Sequence, residues 1–83
     1  MVVRFHPHAL ERMEERGASN DEVVATVEQG EQFQAKFGRT GFRRNFPFHS
    51  EWRGRHYRTK QVEAYAVREV ADWLVVTVIT HYF

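Results

Sequence analysis

The apolar positions of the first thirty residues recur at helical spacing. In "FHPHALERMEERG", residues 5–17, Ala9, Leu10 and Met13 fall on one side of a 3.6-residue helix, and Glu11, Glu14 and Glu15 fall on the other. Pro7 suits the first turn, where a missing N–H leaves no bond unmade. Gly17 suits the residue just past the last turn, where a left-handed backbone is common. The spacing predicts a helix from Pro7 to about Arg16. "SNDE" then sets Ser19 three residues before Glu22, the capping-box arrangement. A second helix follows, with Val23, Val24 and Val27 on one side and Gly30 at its end. The short link "GAS" makes the pair an αα-hairpin.

After Gly30 the period falls to two. "EQFQAKF" alternates Phe33, Ala35 and Phe37 with Gln32, Gln34 and Lys36, the pattern of a half-buried strand. "GRTG" reads as a turn. In "FRRNFPFH" Phe42, Arg44, Phe46 and Phe48 share one face, and Pro47 argues for an edge or a bulge. "SEWRG" reads as a loop, "RHYRTKQVEAYAV" as a third strand, "REVAD" as a turn and "WLVVTVITHYF" as a fourth strand. That last strand is apolar on both faces, which marks an interior position. The expected fold is α+β, with the two N-terminal helices packed on one face of a four-stranded antiparallel sheet. Leu10, Met13, Val23, Val27, Phe33, Phe46, Val76 and Val78 are the expected core between the layers. At 83 residues the chain has the length of one domain, 1–83.

Composition narrows the classes. No cysteine is present, so disulfides and thiolate metal sites are excluded, in keeping with a reducing cytoplasm. The N-terminus lacks the apolar run of a signal peptide, and "WLVVTVIT" is too short to span a bilayer as a helix. A cytoplasmic protein without membrane partners is expected. The formal net charge is only +1, but it is unevenly spread. Residues 39–68 hold eight basic and two acidic residues, a balance of +6, between flanks of −3 and −2. The same block carries Phe42, Phe46, Phe48, Trp52, Tyr57 and Tyr65. Basic residues interleaved with aromatics suit a polyanion with stackable bases. They suit equally a solvated sheet face over an aromatic core.

His8, Arg12 and Arg16 stand four residues apart, along one margin of the apolar face of the first helix. Residues there rest their stems on the core and their heads at the sheet edge. The row fits a cleft wall, and it fits arginines paired with nearby glutamates. The His6–His8 pair is a poor metal site, because Pro7 starts a helix between the two rings and no carboxylate pair completes a set. No metal and no cofactor are expected. The acidic outer side of the helix also argues against a DNA-reading role.

Four blocks occur in order along the chain: "HALERMEERGAS" with "EV" close behind, "AKFGRTGFRRNFPF", "KQVEAYAV" and "VTVITHYF". Together they resemble a widespread bacterial family known only as a domain of unknown function. That family has been grouped with small ribonuclease-like folds: barnase, EndoU, colicin nucleases and RelE-type toxins. The resemblance implies a RelE/barnase-like architecture and a metal-independent ribonuclease of toxin type, with RNA as substrate and an antitoxin protein as a partner. In similar sequences Arg or Lys often precedes the final Tyr-Phe; here it is His81.

Metal-free RNA cleavage by 2′-OH attack needs a base, an acid and cations for the developing charge. His8, His49, His56 and His81 are acid–base candidates by residue type, and Glu63 is an alternative base, since barnase-like sites use a carboxylate. The catalytic set expected here is His8, Arg12, Lys60, Glu63 and His81. The RNA-binding set is Arg16, Arg44, His56 and Arg58. Parity along the third strand puts Lys60 on one side with His56 and Arg58. Each candidate has a plainer reading: Lys60 as a solvated strand residue, His8 as a cap, Arg12 and Arg16 as ion pairs, His81 as edge packing. The alternative function is a non-catalytic module that binds RNA or a protein through the basic sheet face.

Overall fold

The computed structural model describes residues 2–83. Seven elements follow one another: β1 (Val3–Phe5), α1 (Pro7–Arg16), α2 (Asn20–Gln29), β2 (Glu31–Gln34), β3 (Thr40–Trp52), β4 (Arg55–Glu69) and β5 (Asp72–Tyr82). The strands form one sheet in the order β1-β5-β4-β3-β2. The α+β class stands, but the expected four-stranded antiparallel sheet does not. The sheet has five strands and is mixed, because β1 pairs in parallel with β5, Val3 opposite Trp73 and Phe5 opposite Val75. Three residues carry too little alternation to announce a strand; the free edge of β5 makes β1 one.

Both helix starts follow from local chemistry. His6 is the N-cap of α1, and its Nδ1 accepts a 3.0 Å hydrogen bond from the His8 backbone N–H. Gly17 ends α1 with φ 75°, in the left-handed region. In α2 the Ser19 hydroxyl accepts from the Glu22 N–H at 3.1 Å, and the Glu22 carboxylate accepts from the Ser19 N–H at 3.0 Å.

The two helices lie on the same face of the sheet. Ala9, Met13, Val23 and Val27 bury themselves against Phe42, Val62, Ala64, Ala66, Trp73, Val75 and Val78. Small side chains on β4 let the helices approach closely, which keeps the layer dense. Met13, Val23, Val27 and Val78 sit in this core as expected, and Phe46 packs at its margin. Three expected members do not. Leu10 remains 45% exposed. Phe33 pairs with Gly41, one residue out of phase with the buried Phe42, and so lies on the opposite face. Val76 falls in a bulge, where Tyr65 pairs with Thr77 but Ala66 pairs with Val75. The extra residue inverts the parity of β5, so Trp73 and Val75 share the helix side with Val78.

Beyond β1, the outer edge of β5 is closed by α1. The Arg16 guanidinium donates to the Val78 carbonyl at 2.6 Å, and the Arg16 carbonyl accepts from the Thr80 and Tyr82 hydroxyls at 2.9 and 2.7 Å. An otherwise open edge is thereby satisfied. The strand expected over residues 31–37 stops at Gln34, because the chain turns at Phe37 and Gly38, both with positive φ. Residues 50–52, expected in a loop, continue β3, and the turn falls at Arg53 and Gly54.

Met13→Ala should cost about 2–5 kcal/mol in urea unfolding, as for other buried large-to-small changes. Leu10→Ala, one helical turn away on the rim, should stay within about 0.5 kcal/mol of the parent.

Candidate active site

The face of the sheet turned away from the helices is built by the odd residues of β4. Even positions Lys60, Val62, Ala64 and Ala66 are buried toward α1 and α2. Gln61, Glu63 and Tyr65 therefore point to the open side. The antiparallel registers align them with neighbours in three rows: Gly41, Tyr65 and Thr77; Arg43, Glu63 and Ile79; Asn45, Gln61 and His81.

Glu63 is the centre of this array. One carboxylate oxygen accepts from the Tyr65 hydroxyl at 2.8 Å, and the other lies 3.3 Å from His81 Nε2. The Glu63 side chain is only 13% exposed, whereas His81 is 51% exposed. Gln61 donates to the Asn45 side-chain carbonyl at 2.9 Å and fixes the adjoining row. Arg43 packs over the Phe33 ring, with its Nε 3.3 Å from Glu31. That Nε is buried and poorly aligned for a hydrogen bond. Burial pushes the Tyr65 hydroxyl above its ordinary pKa of 10.0, and the Glu63 carboxylate adds to the rise through its hydrogen bond and its charge, against a smaller lowering by Arg43.

Hollows flank the array at both ends. One, of about 410 Å³, lies between the β2–β3 turn and Tyr65, Thr77 and Ile79. The other, of about 500 Å³, is lined by Asn45, Pro47, His49, Arg58, Thr59 and Phe83. A carboxylate and an imidazole thus sit between two concave, cation-bearing surfaces, an arrangement that can exchange protons with a bound polyanion.

Of the residues expected in a site, the fold brings Glu63, His81 and Arg58 to this side. Lys60 is not among them. Its Nζ donates to the Gly17 carbonyl and to Glu22, both at 2.8 Å, with the side chain 7% exposed. Breaking such a pair strands a charge, so replacing Lys60 tests folding rather than chemistry. Arg12 pairs with Glu15 at 3.0 Å, and Arg16 holds the edge of β5. His8 lies exposed on α1, across the sheet from Glu63. Arg44 donates to Gln29 at 2.6 Å, and His56 is exposed in the β3–β4 hairpin opposite Glu51.

The shared side expected for His56, Arg58 and Lys60 fails at a second bulge. There β3 sets Phe48 and His49 against Arg58 alone. Tyr57, not Arg58, reaches Tyr82, and Arg58 turns to the second hollow. The aromatic side chains of the basic block divide as well. Phe48, Trp52 and Tyr57 gather around Tyr82, with Trp52 stacked on it at 4.9 Å, as a small packing cluster over Gly17.

Arg43, Asn45 and Gln61 were not singled out from the sequence, and Tyr65 was named only among the aromatics of the basic block. The signal was present: Val62, Ala64 and Ala66 mark the buried parity of "KQVEAYAV", and the complementary positions spell Gln61, Glu63 and Tyr65.

Residues 5–80 match the family described as Domain of unknown function (DUF4258). The chain belongs to that family. No curated protein and no solved structure matches this DUF4258 chain. The family match carries no ribonuclease grouping. No helix among the described residues is long and apolar enough to cross a membrane.

Tyr65 and Tyr82 of the DUF4258 chain both titrate above the ordinary tyrosine value, each chiefly through burial. A raised folded pKa favours the protonated phenol in the native state. Its contribution is complete below the unfolded pKa near 10 and is lost as pH rises through the folded value. Unfolding free energy should fall above about pH 10. Ultraviolet phenolate titration should show Tyr65→Phe removing one of the late transitions.

Proposed function

We propose that this chain is a small, metal-independent endoribonuclease acting on single-stranded RNA at the open face of its sheet. The observation that carries this reading is the Glu63–His81 contact, a shielded carboxylate and a half-exposed imidazole on adjacent strands. In the proposed reaction the Glu63 carboxylate takes the proton of the 2′-hydroxyl as that oxygen bonds to phosphorus. The bond from phosphorus to the 5′-oxygen breaks, and the His81 imidazolium gives its proton to the leaving oxygen. The products are a 2′,3′-cyclic phosphate and a 5′-hydroxyl. Arg43, in the same row as Glu63, is the cation for charge developing on the phosphoryl oxygens.

The resting contact of 3.3 Å is longer than the ~2.7–2.9 Å of a tight charge-assisted bond, so an entering phosphate can take its place. In this proposal RNA is the substrate, and the cell setting is that of a toxin restrained by an antitoxin.

Purified protein incubated with single-stranded RNA in EDTA should generate cyclic-phosphate ends. Glu63→Gln and His81→Ala should each lower the rate by about 10²-fold or more with little change in melting temperature. Parent-like cleavage by both variants, or loss of cleavage in EDTA, overturns the mechanism. RNA retention without cleavage would leave the same face as a binding module. Growth arrest on expression, relieved by Glu63→Gln, tests the toxin setting.

Binding should weaken with salt. Contact with three phosphates would give a log–log slope of about −2, at about −0.7 per phosphate. Lys36→Glu with Arg58→Glu should flatten that slope, and Glu14→Gln on α1 should leave it unchanged.

A further inference from the structure

The turn between β2 and β3 breaks a local rule. The Ala35 N–H donates to the Arg39 carbonyl at 3.1 Å, and within the loop so enclosed Lys36 to Arg39 form a tight turn, closed by the Arg39 N–H on the Lys36 carbonyl at 3.2 Å. Its central residues, Phe37 and Gly38, have φ of 61° and 70°, the signature of a type I′ turn. The first central position of that turn favours Asn, Asp or Gly, because a bulky side chain on left-handed backbone is strained. Here it holds phenylalanine, and the ring is 88% exposed. Neither packing nor turn preference accounts for it. The ring contributes no packing where it stands and is open to a ligand.

The ring stands at the rim of the 410 Å³ hollow, a volume within the ~300–1,000 Å³ range of small-ligand sites. The walls are apolar and aromatic. Phe33 meets Tyr65 edge to face, with ring centroids 5.9 Å apart. Gly41 makes room for Phe33, since a Cβ there would overlap the ring. Two cations, Lys36 and Arg39, complete the lining. The far wall is Tyr65, whose hydroxyl is bonded to Glu63.

We infer that this hollow is a nucleobase subsite. An unpaired base of single-stranded RNA stacks on Phe37 and lies in the hollow against the Phe33–Tyr65 wall, and its flanking phosphates meet Lys36 and Arg39. The inference rests on the ribonuclease reading for the nature of the ligand. It adds the base contact that sets the scissile phosphate beside Glu63. An aromatic platform with adjacent cations is how sequence-tolerant single-strand binders hold a base, so the subsite takes a base by its face and discriminates little among the four.

The test separates this subsite from catalysis. The ligand is a 2′-fluoro oligonucleotide, which has no 2′-hydroxyl and cannot be cleaved, studied intact and with an abasic residue at each position in turn. With the parent protein, one abasic position should weaken binding about 5- to 160-fold, the range expected for a lost base stack. Phe37→Asn should bind the intact oligonucleotide that much more weakly and show no further loss at that position. The same variant should melt at a higher temperature than the parent, because Asn suits the turn. Gly41→Ala, which drives the Phe33 ring toward the hollow, should reproduce the binding loss.

Parent-like affinity in Phe37→Asn, or an abasic penalty that persists in it, overturns the inference even if Glu63-dependent cleavage is found. If RNA is not cleaved but the Phe37-dependent penalty is seen, the subsite stands and the ribonuclease reading falls.

Discussion

One buried ammonium group organises this fold. Lys60 rises from the middle of β4 into the turn between the helices, where it meets the Gly17 carbonyl and the Glu22 carboxylate. Glu22 is at the same time the closing member of the α2 capping box. A single carboxylate therefore starts a helix and neutralises the sheet's buried cation. Tyr82 and Thr80 bond to the carbonyl just before Gly17, and Trp52 lies against Gly17 itself, where any Cβ would collide with its ring. The helix pair is fastened to one side of the sheet at its turn as well as along its apolar stripe. The other side is left uncovered by the helices, and there the shielded Glu63 lies beside the half-exposed His81.

The helical third of the molecule was legible in the sequence because its signals are local. Pro7, Gly17, Ser19 with Glu22, and Gly30 each act within a turn or two, and the structure puts helix boundaries where they stand. The sheet was legible only where alternation is unbroken. Two bulges, at Val76 and at Phe48–His49, each change which residues share a side, and no residue type there announces the extra position apart from Pro47. The first bulge moved Val76 out of the expected core; the second separated Arg58 from Lys60. Parity within β4 was readable from Lys60 onward. It aligns Lys60 with Val62, Ala64 and Ala66, and the expectation that Lys60 faced a site followed from weighing its charge above that alignment. β1 was not readable, since its partner lies seventy positions away, Val3 opposite Trp73.

The basic block also meant something different from its sum. Much of its charge meets partners within the chain, most of them at the surface. Lys60 meets Glu22, Arg43 meets Glu31, Arg44 meets Gln29, Arg53 reaches the Glu15 carbonyl, and Arg68 covers the Trp73 ring. Several of these partners lie in the acidic N-terminal part, so the uneven charge along the chain is largely a record of which segments pack together. The cations beside the open face are fewer and come from different elements, Arg43 from β3, Lys36 and Arg39 from one turn and Arg58 from the far hollow.

The parallel pairing of β1 with β5 bears on how the chain is made. A ribosome delivers β1 first and β5 last, and the two meet only when both exist. Until β5 appears, α1 lacks the strand it covers, Trp73, Val75 and Val78 are missing from the core, and β4 has one neighbour instead of two. Contacts this distant along the chain form slowly, because a long loop must close before any of them is made. The helical hairpin can form early on its own caps, but the sheet assembles in a late cooperative step. His81 arrives within that same strand. During synthesis the nascent domain therefore holds Glu63 without its imidazole partner, and the paired site comes into being only together with the finished fold.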